Sequence, residues 1–415
     1  MQDHTGGGLG AEPGQRGAVE HDVPLSDLTT LQVGGPARTL VRPDTRDELI
    51  ETLRDLWDEG EDWLVVGGGS NLLISDEGFD GTVVQTRSRG VTRLPAPTLT
   101  SSVPLIARGG SGALEAPPRP RASSRRIRVQ VQAGESWDEL VAQTVDNGWS
   151  GIEALSGIPG FCGAAPVQNI GAYGQELAAT LVAVEFIDAA TGDVRRWRAS
   201  EIGLGYRTSI FKRGRSGVVT SIELELLEAE PGRTALSGPI AYAQLASALG
   251  VRLGDHVPIA ALRETVLELR RSKGMVLDPA EPDSVSAGSF FTNPIVGEHF
   301  ARTLPAAAPR WPTSLDEPDI VVPLDAGSPA QPLRSREYRV KLSAAWLIER
   351  AGIVRGFSLP GSGAAISSKH TLAIINRGSG SAADVAQLAG YVQTRVESEF
   401  GVRLQPEPVL VGLEL

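Results

Sequence analysis

The chain has 415 residues, 41% hydrophobic and 21% charged, which is too long for one ordinary core and predicts a soluble globular protein of two or three units. Its formal net charge of -11 excludes a general binder of nucleic acid or acidic membranes, which needs a basic surplus. The only cysteine, Cys162, excludes an intramolecular disulfide, a tetrathiolate zinc site and a Cys-x-x-Cys redox pair, and fits a reducing, cytoplasmic setting.

Residues 1–20 are Gly-rich and polar, predict a disordered tail and contain no apolar run for a secretory signal. A helix is predicted from about Thr45 to Glu59. Thr45 and Glu48 form a capping-box pattern, Leu49, Ile50, Leu53, Leu56 and Trp57 form the apolar stripe, and Gly60 ends it. Trp63–Val66 reads as a short buried strand running into Gly67-Gly68-Gly69-Ser70-Asn71, and 82–86 reads as another strand. Residues 88–126, rich in Pro, Ser, Arg and Gly with Glu115 as the sole acid, read as a surface insertion. Order resumes at Ile127–Gln132, followed by a helix capped by Ser136 and Glu139 and closed by Gly148, then strands at 181–187 and 217–227.

A second unit is expected from about residue 230, with helices near 258–271 and 341–351, a Pro-rich stretch at 303–336 and a strand at 371–376. The last long helix spans 382–400, with Val385, Leu388, Ala389, Val392, Val396 and Phe400 on its buried face and Gly401 after it. Helices and strands alternate irregularly, so the expected class is α+β rather than a regular doubly wound sheet. No run is long and apolar enough for a membrane helix. The longest uncharged stretch, 154–175, holds five glycines and two prolines.

Two glycine runs carry ligand-binding potential. After Val65-Val66, the run Gly67-Gly68-Gly69 bares backbone N–H groups to which a pyrophosphate can come close. It is not the Rossmann fingerprint, because Leu72 stands at the third glycine position and no helical pattern follows. A tight turn is at least as good a reading of that loop alone. The second run, Gly157 to Gly174, is long, small-residued and uncharged. Its backbone suits packing against a flat ligand, and Gln168 and Asn169 suit hydrogen bonding to heterocycle edges, against the alternative of a buried Gly/Ala crossover.

Together these runs resemble the FAD-binding region of the vanillyl-alcohol-oxidase/PCMH superfamily. More narrowly, Pro159-Gly160 through Gln168-Asn169-Ile170-Gly171-Ala172-Tyr173-Gly174 is similar to the hallmark of the UDP-N-acetylenolpyruvoylglucosamine reductases. The resemblance extends from about residue 22 over nearly the whole chain, apart from the segments near 88–126 and 303–336. It implies a two-part PCMH-type FAD-binding region at 21–229 and an α/β substrate-binding domain at 230–415, whose last residues can pack back on the FAD region. By the same resemblance the cofactor contacts are Val66, Gly67, Gly68, Gly69, Ser70, Asn71, Leu72, Pro159, Gly160, Gly163, Ala164, Gln168, Asn169, Gly171, Ala172 and Tyr173. Ser70 stands where covalent branches of the superfamily often carry His, which implies non-covalent FAD.

Reduction of an enol ether conjugated to a carboxylate needs hydride at the β-carbon, stabilised charge at the α-carbon and carboxylate, and an acid for the α-carbon. The segment Tyr206-Arg207-Thr208-Ser209 resembles the family's Tyr-Arg-x-Ser motif, which places Arg207 at the developing enolate. Gly288-Ser289-Phe290-Phe291-Thr292-Asn293-Pro294 matches the family's Gly-Ser-Phe-Phe-x-Asn-Pro segment and implies Ser289 as proton donor. Gln405-Pro406-Glu407-Pro408 implies that Glu407 works with the arginine. Apart from the motifs, these three read as a surface arginine, a turn serine and a loop acid.

Tyr242, Lys273 and Asn293 are implied substrate contacts, the first two near a UDP diphosphate; Lys273 reads equally as a solvated helix-end cation. Trp311 stands where the substrate-covering loop often has tyrosine. His370 reads as structural, and no metal-ligand spacing is visible. The implied reaction is NADPH-dependent reduction of UDP-N-acetylglucosamine enolpyruvate to UDP-N-acetylmuramate by a monomer. The alternatives are another PCMH-type oxidase or dehydrogenase, and a non-catalytic flavin or UDP-sugar binder.

Overall fold

The structure, a computed structural model, describes residues 19–95, 124–313 and 339–415. The first sheet orders Val19–Pro24, Pro36–Val41, Phe79–Gln85 and Trp63–Val66; its first pair is antiparallel and the other two are parallel. The helix Arg46–Asp58 makes the crossover. Thr45 accepts the Glu48 N–H at 3.2 Å, and Gly60 leaves the helix at φ 69°. Its stripe of Leu49, Ile50, Leu53 and Leu56 packs on Val84 of the first sheet and on Ile187 and Val218 of the next, so one helix face joins two sheets.

The second sheet is antiparallel in the order Val194–Arg198, Leu181–Asp188, Gly217–Ala229, Ser124–Gln132 and Val91–Leu94. Its inner residues Val129, Val131, Val184, Ile222 and Leu224 bury against the helix Trp137–Asp146 and the second glycine run. Beyond it, Ile240 and the helices Ala243–Leu249 and Ile259–Arg271, through Leu245, Leu262 and Val266, pack on Ala154 and on Tyr173 of that run. The long helix Ala382–Phe400 buries Val385, Leu388, Ala389, Val392 and Val396 over the three-stranded sheet Ser286–Ser289, Ala373–Asn376 and Ala364–Ile366. Its core also takes in Leu31, Val33 and Leu73. Val409–Val411 pairs in parallel with Leu72–Ile74, which brings the chain's last segment beside the first glycine loop. The architecture is α+β throughout.

Several sequence expectations are corrected. Residues 19 and 20 begin an edge strand because they pair with Val41 and Leu40, while 1–18 lie outside the described residues. Residues 91–94 and 124–126, read as insertion, are strand. Val91–Leu94 pairs with Arg128–Val131, so the segment 96–123, outside the described residues, connects two neighbouring strands. Within the Pro-rich stretch, Arg310–Thr313 pairs with Arg339–Leu342, and 314–338 lie outside the described residues. That pairing takes the residues before Ser343, so the next helix begins at Ala344, capped by the Ser343 hydroxyl.

Candidate active site

The two glycine loops meet back to back. A Cβ on Gly68 would lie 2.8 Å from the Gly160 Cα, and one on Gly69, at φ 58°, would lie 1.7 Å from the Leu28 carbonyl oxygen. Only glycine permits this approach. Hydrogen bonds tie the same loops together: the Ser70 hydroxyl donates to the Pro159 carbonyl at 3.0 Å, and the Asn71 amide donates to Gln168 Oε1 at 2.8 Å and to the Glu407 carbonyl at 3.2 Å. Asn71 thereby joins segments more than 300 residues apart in sequence.

Between the loops opens a cavity of about 330 Å³, with Gly67 to Leu72 on one wall, Ile158 to Phe161, Ala164 and Gln168 on another, and Trp137 beneath. Arg207, Lys212, Arg270, Ser289 and Glu407 also line it. Arg207 lies at φ 53° in a turn where Gly205 and Thr208 exchange backbone hydrogen bonds. A non-glycine residue in that region is strained, and here the strain aims the side chain. Its guanidinium donates to the Gly171 carbonyl at 2.7 Å, and Nε meets Glu407 Oε1 at 3.2 Å. Glu407 is 9% exposed and is held by its own N–H on the Phe290 carbonyl at 2.8 Å. Burial raises its carboxyl above the ordinary carboxylate range, while Arg207 and Lys212 pull it back. Lys212 donates to the Glu407 carbonyl at 2.9 Å, and burial lowers its ammonium.

Ser289 closes the strand Ser286–Ser289. Gly288, at φ 73°, and a register shift against Ala373–Asn376 bulge that strand. The Ser289 Oγ lies 3.3 Å from His370 Nε2. Arg270 is 6% exposed; one of its N–H groups donates to the Met275 carbonyl at 2.8 Å, and its Nε has no partner.

Several sequence-predicted contacts stand off the lining of this cavity. Val66 is buried behind the first loop, and a Cβ on Gly163 would meet Ala133 at 2.6 Å, so that glycine serves packing. Asn169 uses its side chain on Glu176, the Gly205 carbonyl and the Ala178 N–H, which holds the turn. Ala172 and Tyr173 lie off the cavity lining. Tyr173 stands edge-on to Tyr242 with centroids 5.7 Å apart, and Lys273 Nζ lies 5.6 Å above its ring while donating to Gln244 at 3.0 Å. Asn293 Oδ1 accepts the Ala344 N–H at 3.0 Å and so caps a helix. Sequence reasoning passed over Lys212, three residues beyond the Arg207 motif, and Arg270. Neither carries a local signal, since a lysine in a turn, or an arginine in the last turn of a helix, ordinarily faces water.

The lining fits a flat cofactor bearing phosphate. Glycine walls leave N–H groups uncovered, Trp137, Ile158 and Phe161 supply apolar lining, and three cations against one carboxylate favour an anion. The partnerless Arg270 Nε is a buried donor awaiting an acceptor. Among the described residues, no group of His, Cys, Asp or Glu could hold a metal ion, and no helix is long and apolar enough to cross a membrane.

Comparisons with known proteins agree with this chemistry. A model of the FAD binding domain matches residues 121–198, and the model described as UDP-N-acetylenolpyruvoylglucosamine reductase, C-terminal domain, matches residues 278–411. The UDP-N-acetylenolpyruvoylglucosamine reductase of Leifsonia xyli is 56% identical over 402 residues, 94% of this chain and 98% of the relative. That of Thermobifida fusca is 46% identical over 395 residues, 95% and 98% of the two chains. The crystal structure of the Thermus caldophilus reductase shares the fold with a TM-score of 0.55 at 24% identity, over 95% of this chain and 99% of that one. Identity of this level along nearly the full length, on a cavity built from both matched regions, means that the chain belongs to the UDP-N-acetylenolpyruvoylglucosamine reductase family, FAD-dependent oxidoreductases.

Proposed function

We propose that this chain reduces the enolpyruvyl group of UDP-N-acetylglucosamine enolpyruvate to the lactyl group of UDP-N-acetylmuramate. NADPH is the reductant, and the reaction is a cytoplasmic step of peptidoglycan precursor synthesis carried out by a monomer with non-covalent FAD. Residues 21–229 serve the cofactor and 230–415 the substrate. The observation that carries this reading is convergence: Arg207, Ser289 and Glu407, from three distant segments, line one cavity together with both glycine loops.

Bound FAD supplies hydride transfer between NADPH and the enolpyruvyl β-carbon. The protein's own groups handle the charge and the proton. The Arg207 guanidinium, aimed by its left-handed backbone and held by the Gly171 carbonyl, faces the carboxylate on which negative charge develops. Glu407 fixes that guanidinium, and Lys212 fixes the segment carrying Glu407. The Ser289 hydroxyl gives its proton to the α-carbon; a serine is a weak acid in water and acts here through placement in a cationic, water-poor cavity. The test is to add NADPH and then the enolpyruvyl sugar nucleotide anaerobically while following flavin absorbance. Bleaching by the first and recovery with the second is the expected course. Recovery with oxygen alone would make the protein an oxidase, and absence of bleaching would leave it a binder.

A further inference from the structure

We propose that His370 is a positioning residue for Ser289: its Nε2–H donates to the serine Oγ, leaving the hydroxyl hydrogen free for the substrate and stabilising the oxygen as that hydrogen departs. The proposal rests on the reading of Ser289 as the acid. The two side chains come from neighbouring antiparallel segments, where Ser289 pairs with Ala373 and the Phe290 N–H donates to the Leu372 carbonyl at 2.7 Å. At 3.3 Å, Oγ and Nε2 share one hydrogen bond, and its direction decides the chemistry. If the hydroxyl donated to the ring, its hydrogen would point away from the cavity. With the ring as donor, the Oγ–H bond breaks as the new C–H bond forms, and the electron pair left on Oγ is already held by an N–H.

The loop carrying His370 is fixed independently of the imidazole. Asp283 accepts from the Ser367 hydroxyl at 2.8 Å and from the Lys369 N–H at 3.1 Å, and the His370 N–H donates to the Ser367 hydroxyl oxygen at 3.0 Å. The charged groups facing the ring are Lys273, Arg355 and Arg270, all cationic. With burial they lower its pKa to about 4, so the ring is neutral through the working range and serves as a hydrogen-bond donor rather than as a second acid.

The test is a double-mutant cycle on the FAD-loaded enzyme with Ser289→Ala, His370→Ala and the double variant. Flavin content and NADPH-driven flavin reduction report folding, and stopped-flow reoxidation by the enolpyruvyl substrate reports the proton step. His370→Ala should slow reoxidation about 10- to 100-fold, part of the 10² to 10⁴ that general acid catalysis contributes. It should add nothing in the Ser289→Ala background. His370→Gln, which restores an N–H donor, should recover most of the rate. Equal slowing by His370→Ala in both backgrounds, or a parental rate in either His370→Ala or Ser289→Ala alone, overturns the proposal. Only a parental rate in Ser289→Ala also removes the reading of the acid. Histidine-labelled NMR supplies a readout apart from turnover: the resonance lost in His370→Gln should stay in its neutral form down to pH 5 in the parental protein.

Discussion

Arg207 carries two separable loads, and substituting it two ways pulls them apart. Its backbone at φ 53° costs an L-residue about 1 to 2 kcal/mol, whereas glycine adopts that region freely. Glycine also gives the unfolded chain more freedom, which offsets about 0.4 to 1 kcal/mol of that relief. Arg207→Gly should therefore be more stable than Arg207→Ala by about 0.5 to 1 kcal/mol. Both remove the cation 3.2 Å from the buried Glu407 carboxylate, so both should raise the Glu407 carboxyl further and slow flavin reoxidation by about 10² or more, roughly 2.7 kcal/mol of barrier. Equilibrium denaturation compares the stabilities, and stopped-flow absorbance compares the half-reactions. An alanine variant as stable as the glycine variant would refute the strain, and a parental reoxidation rate in either would refute the role at the enolate.

Further outcomes follow from other parts of the structure. The purified protein should release its flavin on acid precipitation, since Ser70 stands in the loop and bonds to Pro159; flavin remaining with the pellet would contradict non-covalent binding. Gly68→Ala forces a methyl to within 2.8 Å of the Gly160 backbone and should weaken FAD binding at least tenfold, read by flavin titration of the apoprotein, about 1.4 kcal/mol. Replacing 97–122 with a short turn should leave turnover intact, because the flanking strands are hydrogen-bonded neighbours and loop length costs only about 0.6 kcal/mol per doubling; a large fall in kcat/KM would show that the segment binds or packs. His370 has a folded pKa of about 4 against an ordinary 6.5, so the unfolded chain binds more protons between those values. Its contribution to stability is therefore complete above pH 6.5 and is lost as pH falls toward 4. The loss amounts to about 3 kcal/mol, and His370→Gln should abolish it. Parallel pH–stability curves for the two proteins would contradict the buried neutral ring.

Local physics made much of this protein legible from sequence. The helix beginning at Arg46 is announced by Thr45, the one at Trp137 by Ser136, and the span Ala382–Phe400 by its stripe and Gly401, because caps and periodicity act within a few residues. The glycine runs and the short motifs around Arg207, Ser289 and Glu407 are also local, and the structure brings all of them to one cavity. Contacts between segments far apart in the chain could not be read that way. Lys212 and Glu407 are 195 residues apart, and Ser289 and His370 are 81 apart. Arg270 stands in the last turn of its helix with no local sign of burial, and is buried only because the cavity wall closes over it. Asn169, Tyr173 and Asn293 show the other side: each stands within a ligand-binding motif, and folding gives its side chain a protein partner as well. Which polar group is left to face a ligand depends on which are satisfied internally, and tertiary packing alone settles that account.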